Sequence, residues 1–373
     1  MRATRAIIHL DNLSQNILTI AERLTAGTLM CVPVKADAYG HGAVETARAV
    51  LKAGATHLAV ATVDEGRELR DASIDAPILL LGIASPEELK DLVRLRLTPF
   101  ITDEEYAGLL SHAARAEGLV CEVHLKVDSG MGRIGCSCAE LPALARFVSR
   151  EGSLRLAGIA THLAAADSLD ADDRDYTRRQ IGSFLDAVDS VRREGIDAGI
   201  VHAANSGAIV LHPETHLDMV RPGILTYGYL PDECLSGSIE VVPVMELRTG
   251  VASIKRIQRG TSVSYGRTWT AERETEIATI PVGYDDGIPR AAAAGLSVEI
   301  AGKAYPVVGR ICMDQCMVDL GLDSGVSRWD DVTVFGPNPG AMTAGDVARA
   351  CGTIPYEITC GINKRVPRVY RTS

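Results

Sequence analysis

No apolar run in this 373-residue chain approaches the roughly 20 residues that a bilayer span needs, so no membrane segment is expected. Basic residues are in deficit. Lys and Arg number 38 against 48 Asp and Glu, a formal net charge of −10. That balance argues against sequence-independent nucleic-acid binding, which relies on basic surface. A small anionic ligand is still compatible, because local fields decide its binding. C-x-x-C pairs are missing. The nine cysteines are odd in number, with spacings such as Cys136-x-Cys138 and Cys312-x3-Cys316. A disulfide framework is therefore not expected, and Cys136 and Cys138 lack the second ligand pair of a zinc site. No metal is expected. The start of the chain, Met1 to Ala6, runs into a strand and a polar helix without the apolar core of a signal peptide, so a cytoplasmic location is expected. No G-x-G-x-x-G follows the first buried-looking run, which counts against a Rossmann domain.

What is present is a long alternation. Hydrophobic residues make up 46% and charged residues 23%, the balance of a globular protein, and the length suggests two domains. Eight short apolar runs alternate with helical periodicity: Leu29–Val34, His57–Ala61, Pro77–Leu81, Thr98–Ile101, Cys121–Val127, Leu154–Thr161, Gly199–Ala203 and Leu217–Val220. Helix-like stretches between them include Ala43–Ala53, Pro86–Arg96, Glu104–Glu117 and Gln180–Glu194, the last two followed by glycine. Eight β/α units in series read as a (β/α)8 barrel of the TIM type, with an open doubly wound sheet as the alternative. After about residue 234 the runs become short and turn-bounded, with one helix near Ala344–Ala350. The expectation is an α/β protein: an N-terminal TIM barrel over 1–233 and a C-terminal, mostly β domain over 234–373.

The first barrel strand runs into Pro33-Val34-Lys35-Ala36-Asp37-Ala38-Tyr39-Gly40-His41-Gly42. A lysine at the end of a buried strand is more readily neutral, because burial disfavours the ammonium. A neutral lysine amine forms Schiff bases with carbonyl compounds, the aldehyde of pyridoxal 5'-phosphate (PLP) among them. Gly40 and Gly42 allow a tight turn, and the Tyr39 hydroxyl can meet a phosphate. A lone lysine here is more often one half of a surface salt bridge. The barrel also brings Lys35, Lys126, His162, Ser206 and Arg221 to one face, since each lies at or just past the C-terminal end of a separate strand.

The lysine segment closely resembles the PLP-binding segment of bacterial alanine racemases. Further segments match in family order: L-K-V-D-S-G-M-G-R at 125–133, T-H-L-A-A-A-D at 161–167, N-S at 205–206 and V-R-P-G at 220–223. The C-terminal part adds S-Y-G-R at 264–267, P-V-G-Y at 281–284, G-R-I-C-M-D-Q at 309–315 and I-P-Y-E at 354–357. The resemblance implies PLP carried on Lys35, with Arg221 donating to the pyridine nitrogen and leaving it unprotonated. It implies a phosphate held by Tyr39, Ser206, the backbone of Gly223 and Ile224, and Tyr356. Arg133 is implied beside the substrate carboxylate, oriented by a carbamylated Lys126. Lys35 and Tyr265 are implied as the two acid–base groups, with His162 as partner of Tyr265. Tyr265, Tyr284, Cys312, Met313 and Asp314 are implied to reach the barrel mouth of the other subunit in a homodimer with shared sites. Asp167, Arg290, Arg310 and Ile354 are implied to line the way in.

Each residue also has a plainer reading: a structural ion pair for Arg221, a helix cap for Ser206, a pair with Asp128 for Lys126, and a satisfied core residue for His162. The chain departs from the commonest family pattern at Asp285, beside Tyr284, where a small residue is usual. Asp37 and Leu163 stand where asparagine and phenylalanine are frequent. The expected function is racemisation of alanine, supplying D-alanine for peptidoglycan. A racemase of serine or of a broader range, with Asp285 as its best argument, and a non-catalytic PLP-binding protein are the alternatives.

Overall fold

The computed structural model describes residues 3–372, so Met1 and Arg2 of the N-terminal segment lie outside the described residues. All eight apolar runs form strands: Leu29–Pro33, His57–Val60, Ile78–Leu80, Leu97–Ile101, Cys121–Asp128, Leu154–Ala160, Ile200–His202 and Met219–Val220. Every neighbouring pair is parallel, and the eighth strand pairs with the first, Met219 opposite Leu29, which closes the barrel. The open-sheet alternative is thereby excluded. Side chains alternate along a strand, so every second residue points inward. Cys31, Ala59, Leu79, Phe100, Ala160 and Met219 form one buried inner layer. In the same inward phase as Lys126 stands His124, which is also buried.

Local chemistry sets the helices. Thr62 caps Val63–Asp71 in a reciprocal box with Glu65, and Asp103 caps Glu104–Ala116. Gly118 and Gly195 take the positive φ expected just past a helix, 65° and 78°. The helix expected from Gln180 begins at Ala171 instead, capped by Asp170. Its first turns, Asp172, Asp173, Arg174 and Asp175, carry no apolar stripe to betray them. Phe184 on this helix is fully buried, and Phe184→Ala would cost about 3–5 kcal/mol.

The C-terminal half is mostly strand, as the turn-bounded runs indicate. A nine-stranded sheet includes Met245–Gly250, Thr275–Ile280, Ser297–Ile300, Lys303–Val308, Cys316–Gly321 and Asp331–Phe335. The run expected from Val241 starts only at Met245, beyond Pro243, which has no N–H to give a ladder. A second helix, Pro355–Gly361, follows Ala344–Cys351. The first strand of the chain, Arg5–His9, lies in this sheet, antiparallel to Met245–Gly250 and parallel to Arg368–Arg371. All nine cysteines are unpaired thiols. No described helix is long and apolar enough to cross a membrane.

Candidate active site

A cavity of about 650 Å³ opens at the C-terminal ends of the barrel strands. Lys35, Tyr39, Lys126, Arg133, His162, Ser206, Arg221, Gly223 and Tyr356 line it, along with Asp167. Pockets of this size suit a cofactor-sized ligand. Residues remote in sequence thus share one space because the barrel gathers strand ends.

Lys35 begins an unusual turn. Ala36, Asp37, Ala38 and Tyr39 all have φ between 52° and 54°, four successive non-glycine residues in the left-handed region. Each such residue costs roughly 1–2 kcal/mol, so the surroundings must hold the turn. Asp37 accepts from the Ala43 N–H at 2.8 Å, and Arg368 donates to the Gly40 carbonyl at 3.0 Å. The Tyr39 ring stacks on Tyr227 with centroids 4.8 Å apart. Gly40 is required for two reasons: its φ is 84°, and a Cβ there would sit 2.1 Å from the Thr359 carbonyl oxygen. Burial, then the Arg133 charge, lower the Lys35 pKa against a smaller opposing pull from Glu65.

Arg221 is buried and meets neutral acceptors only. Its Nη2 donates to the carbonyls of Thr161 at 2.8 Å and Ala203 at 3.0 Å, and lies 3.3 Å from His162 Nδ1. Its Nη1 donates to His202 Nδ1 at 2.5 Å. The plainer reading of Arg221, a structural ion pair, fails, because no described carboxylate reaches it. An arginine can only donate, so His202 carries its proton on Nε2 and donates onward to His124 Nδ1 at 2.8 Å. Burial and the Arg221 charge keep both imidazoles neutral, with His124 lowered to about 3. Gly158 makes room for this pair, since a Cβ there would lie 2.7 Å from the His124 ring. Sequence reading missed His124 and His202. The signal was present: both are polar residues inside apolar strand runs, and His124 precedes Lys126 by two, on the same face.

Lys126 is 4% exposed and donates to the Val127 carbonyl at 2.9 Å. It does not pair with Asp128, whose carboxylate accepts from the N–H groups of Gly130 and Gly132. Burial, then Arg221, lower its pKa to about 7. A neutral amine near neutral pH is the form that carbon dioxide can carbamylate. Arg133 forms no ion pair with a described residue. His162 is held neutral by burial and by four cations, Arg221 foremost.

Hydroxyls gather at Gly223. A Cβ on this glycine would lie 3.3 Å from Tyr39 Oη and 3.6 Å from Ser206 Oγ. Ser206 does not cap its helix. Asn205 does, accepting from the Ala208 N–H at 3.0 Å, which leaves the buried Ser206 hydroxyl facing the cavity. Ile224 is fully buried beneath Gly223 and does not itself line the cavity.

Tyr265, Tyr284, Cys312, Met313 and Asp314 form a separate group. None lines the cavity of this chain. Hydrogen bonds tie their loops together: Tyr284 N–H to the Cys312 carbonyl and Asp285 N–H to the Met313 carbonyl, both 3.0 Å, and the Ser264 side-chain Oγ to the Arg310 carbonyl at 2.7 Å. Arg365 clamps the group, pairing with Asp285 at 2.6 Å, Asp286 at 2.8 Å and Asp314 at 2.9 Å. Asp285 is therefore held by Arg365, which it shares with Asp286 and Asp314.

Comparison with known proteins follows this geometry along the whole chain. The family model for the alanine racemase N-terminal domain matches residues 8–231, and that for the alanine racemase C-terminal domain matches 244–370. The chain belongs to the alanine racemase family. It is 50% identical to the alanine racemase of Treponema denticola over 374 residues, covering 99% of this chain and 98% of that one. To the alanine racemase of Treponema pallidum it is 47% identical over 377 residues, with 99% and 100% covered. Among solved structures, alanine racemase from Clostridium difficile superposes with a TM-score of 0.94 at 37% identity, covering 100% of this chain and 96% of that one. The enzyme from a D-cycloserine-producing Streptomyces lavendulae gives 0.93 at 36% identity, with 100% and 98% covered.

The family's cofactor, PLP, fits the residues present. A lowered-pKa lysine, a buried guanidinium free of carboxylates and a hydroxyl-lined cradle at Gly223 match its aldehyde, ring nitrogen and phosphate. Lys35, Arg221, Tyr39, Ser206, Gly223 and Tyr356 would hold it.

Proposed function

We propose that this chain interconverts L- and D-alanine with PLP as cofactor, as a cytoplasmic homodimer supplying D-alanine for peptidoglycan. The observation that carries this reading is Arg221: a buried guanidinium without a carboxylate partner, lining the same cavity as Lys35. PLP, when bound, supplies an aldehyde and a ring that takes up electron density from the substrate α-carbon. Because a guanidinium gives up its protons only reluctantly, Arg221 donates to the ring nitrogen and leaves it unprotonated. That limits the ring as an electron sink and disfavours side reactions such as transamination.

The chain's own groups then move the proton. Lys35 Nζ, with its lowered pKa, holds or releases a proton on one face of the α-carbon. Tyr265 of the partner subunit serves the other face, with Met313, Tyr284, Cys312 and Asp314 forming its surroundings. Arg133 binds the substrate carboxylate, and a carbamylated Lys126 orients it. His162, which lines the same cavity as Lys35 and Arg221, pairs with the partner subunit's Tyr265. Sharing of the sites is supported by the exposure of Tyr265 and by its separation from the cavity of its own chain. A symmetric dimer gives each Tyr265 a partner mouth.

The broader-range reading is weakened, since the Asp285 carboxylate is tied to Arg365 and is not free to meet a substrate side chain. The non-catalytic reading is disfavoured by the second family domain over 244–370. Purified protein incubated with a panel of L-amino acids and analysed by chiral chromatography tests the assignment. D-alanine should form fastest. Preferential conversion of serine or of basic amino acids, or no conversion at all, would overturn it.

A further inference from the structure

The turn that follows Lys35 is strained, yet it is held at its start by a residue that no part of the mechanism above uses. Glu65 belongs to the second barrel unit, in the first turn of the Val63–Asp71 helix. One carboxylate oxygen, Oε1, accepts from the Ala36 N–H at 2.7 Å. The other, Oε2, accepts from the N–H groups of Ala61 at 2.6 Å and Thr62 at 3.3 Å. One carboxylate thus joins the residue after the lysine to the end of the neighbouring strand.

We propose that Glu65 is a positioning residue for Lys35: it pins the start of the left-handed turn to the second barrel unit and so fixes where the lysine amine points. The inference rests on Lys35 being the cofactor lysine. Three observations carry it. The other side-chain ties of the turn grip its far end: Asp37 to Ala43, His41 to the carbonyls of Ala38 and Tyr39, and Arg368 to Gly40. Among the described residues, the Glu65 bond is the one side-chain hydrogen bond to the backbone of residues 35 and 36. Val34 before the lysine is fully buried, but Ala36 is itself exposed, so its own side chain is not held by core packing. L-residues in left-handed backbone drift toward right-handed or extended conformations when released, and the lysine root would drift with them.

A carboxylate is suited to the task because both oxygens accept. In Glu65→Gln the amide NH2 would face an N–H on one side or the other, so one arm is lost. Glu65→Asp keeps the charge but is too short to span both sets of donors. Thr62→Ala is the control. It removes the Thr62 Oγ1 acceptor of the Glu65 N–H and weakens the same helix cap, but it leaves the Ala36 tie intact.

The experiment uses holoenzyme dimers. PLP release is followed by loss of the lysine-linked absorbance while a phosphatase destroys free PLP, and kcat and KM are measured for alanine. Glu65→Gln and Glu65→Asp should each release PLP at least about fivefold faster and lose about 10- to 100-fold in kcat, with KM within about threefold, as small misplacements of a reacting group do. Thr62→Ala should melt at a lower temperature yet stay below the fivefold threshold. A smaller acceleration in both Glu65 variants, or an equal one in Thr62→Ala, overturns the inference. Borohydride fixation and mass spectrometry of the unaltered protein separate the two layers. PLP found on another lysine removes the cofactor assignment and this inference together, whereas PLP on Lys35 with unaffected Glu65 variants removes this inference alone.

Discussion

At the barrel mouth, Lys126 and Arg221 are 4% and 6% exposed, while in the C-terminal loop group Met313 and Tyr265 are 51% and 71% exposed. The mouth braces its polar groups from within: two carbonyls and His202 take some of the five Arg221 donors, and stacked tyrosines hold the lysine turn. The loop group is braced from behind by Arg365 and by backbone bonds, and its functional side chains face outward. A buried cation cluster is fixed by the folding of one chain. An exposed tyrosine, a methionine and a second tyrosine on braced loops are what a partner surface needs. The difference teaches which groups one chain positions by its own folding and which it leaves facing outward. Under the proposed function the first would hold the cofactor, while the second would complete the site of a partner subunit.

The largest expected effect tests the mouth. Lys35→Ala should abolish turnover and borohydride-fixed PLP together, and retention of either would break the assignment. Next, Tyr265→Phe should reduce turnover by about 10²- to 10⁴-fold while PLP attachment to Lys35 stays as in the unaltered protein. If PLP were lost as well, the loop group would belong to the cofactor site and the division would fail.

Acid titration addresses the buried histidines. His124 has its pKa lowered to about 3 and His202 is lowered too, from an ordinary 6.5. The unfolded chain therefore binds more protons below about 6.5. Stability should be fully present above that value and be lost as pH falls toward about 3. Urea midpoints should fall over this window, and His124→Phe should flatten the slope. A slope unchanged by that substitution would contradict the neutral pair.

Lys126 gives a smaller readout of opposite direction. Its neutral fraction grows as pH rises through about 7, so a ¹³C carbamate resonance from labelled bicarbonate should strengthen between pH 6 and 8 as that fraction grows. It should be absent in Lys126→Arg. The smallest effect on PLP attachment belongs to Arg365→Ala, which should leave it untouched. The pairs with Asp285 and Asp314 are part-exposed and contribute little individually. Asp286 is fully buried, however, so loss of its guanidinium partner should lower the urea midpoint and raise KM by a few-fold.

Much of this organisation was legible in the sequence, for identifiable reasons. The eight barrel strands are short apolar runs separated by helical periodicity, and each was readable by itself. The sheet role of Arg5–His9 was not, because pairing with Met245–Gly250 and Arg368–Arg371 joins segments more than 230 residues apart. Lys35 announced itself through its neighbours, whereas His202 and Glu65 act through partners that only closure of the barrel brings near. Asp285 read as an added negative charge beside Tyr284, and only the fold reveals its partner Arg365.

The central claim is that one working site needs two chains, and subunit exchange tests it most directly. Lys35→Ala and Tyr265→Ala proteins should each be nearly inactive alone. Random exchange at equal concentrations makes heterodimers about half of the population, each with one intact site, so mixing should restore roughly a quarter of the unaltered activity. Full exchange, shown by fluorescence energy transfer between labelled subunits, with no activity regained would contradict the account and place Lys35 and Tyr265 in a site within one chain.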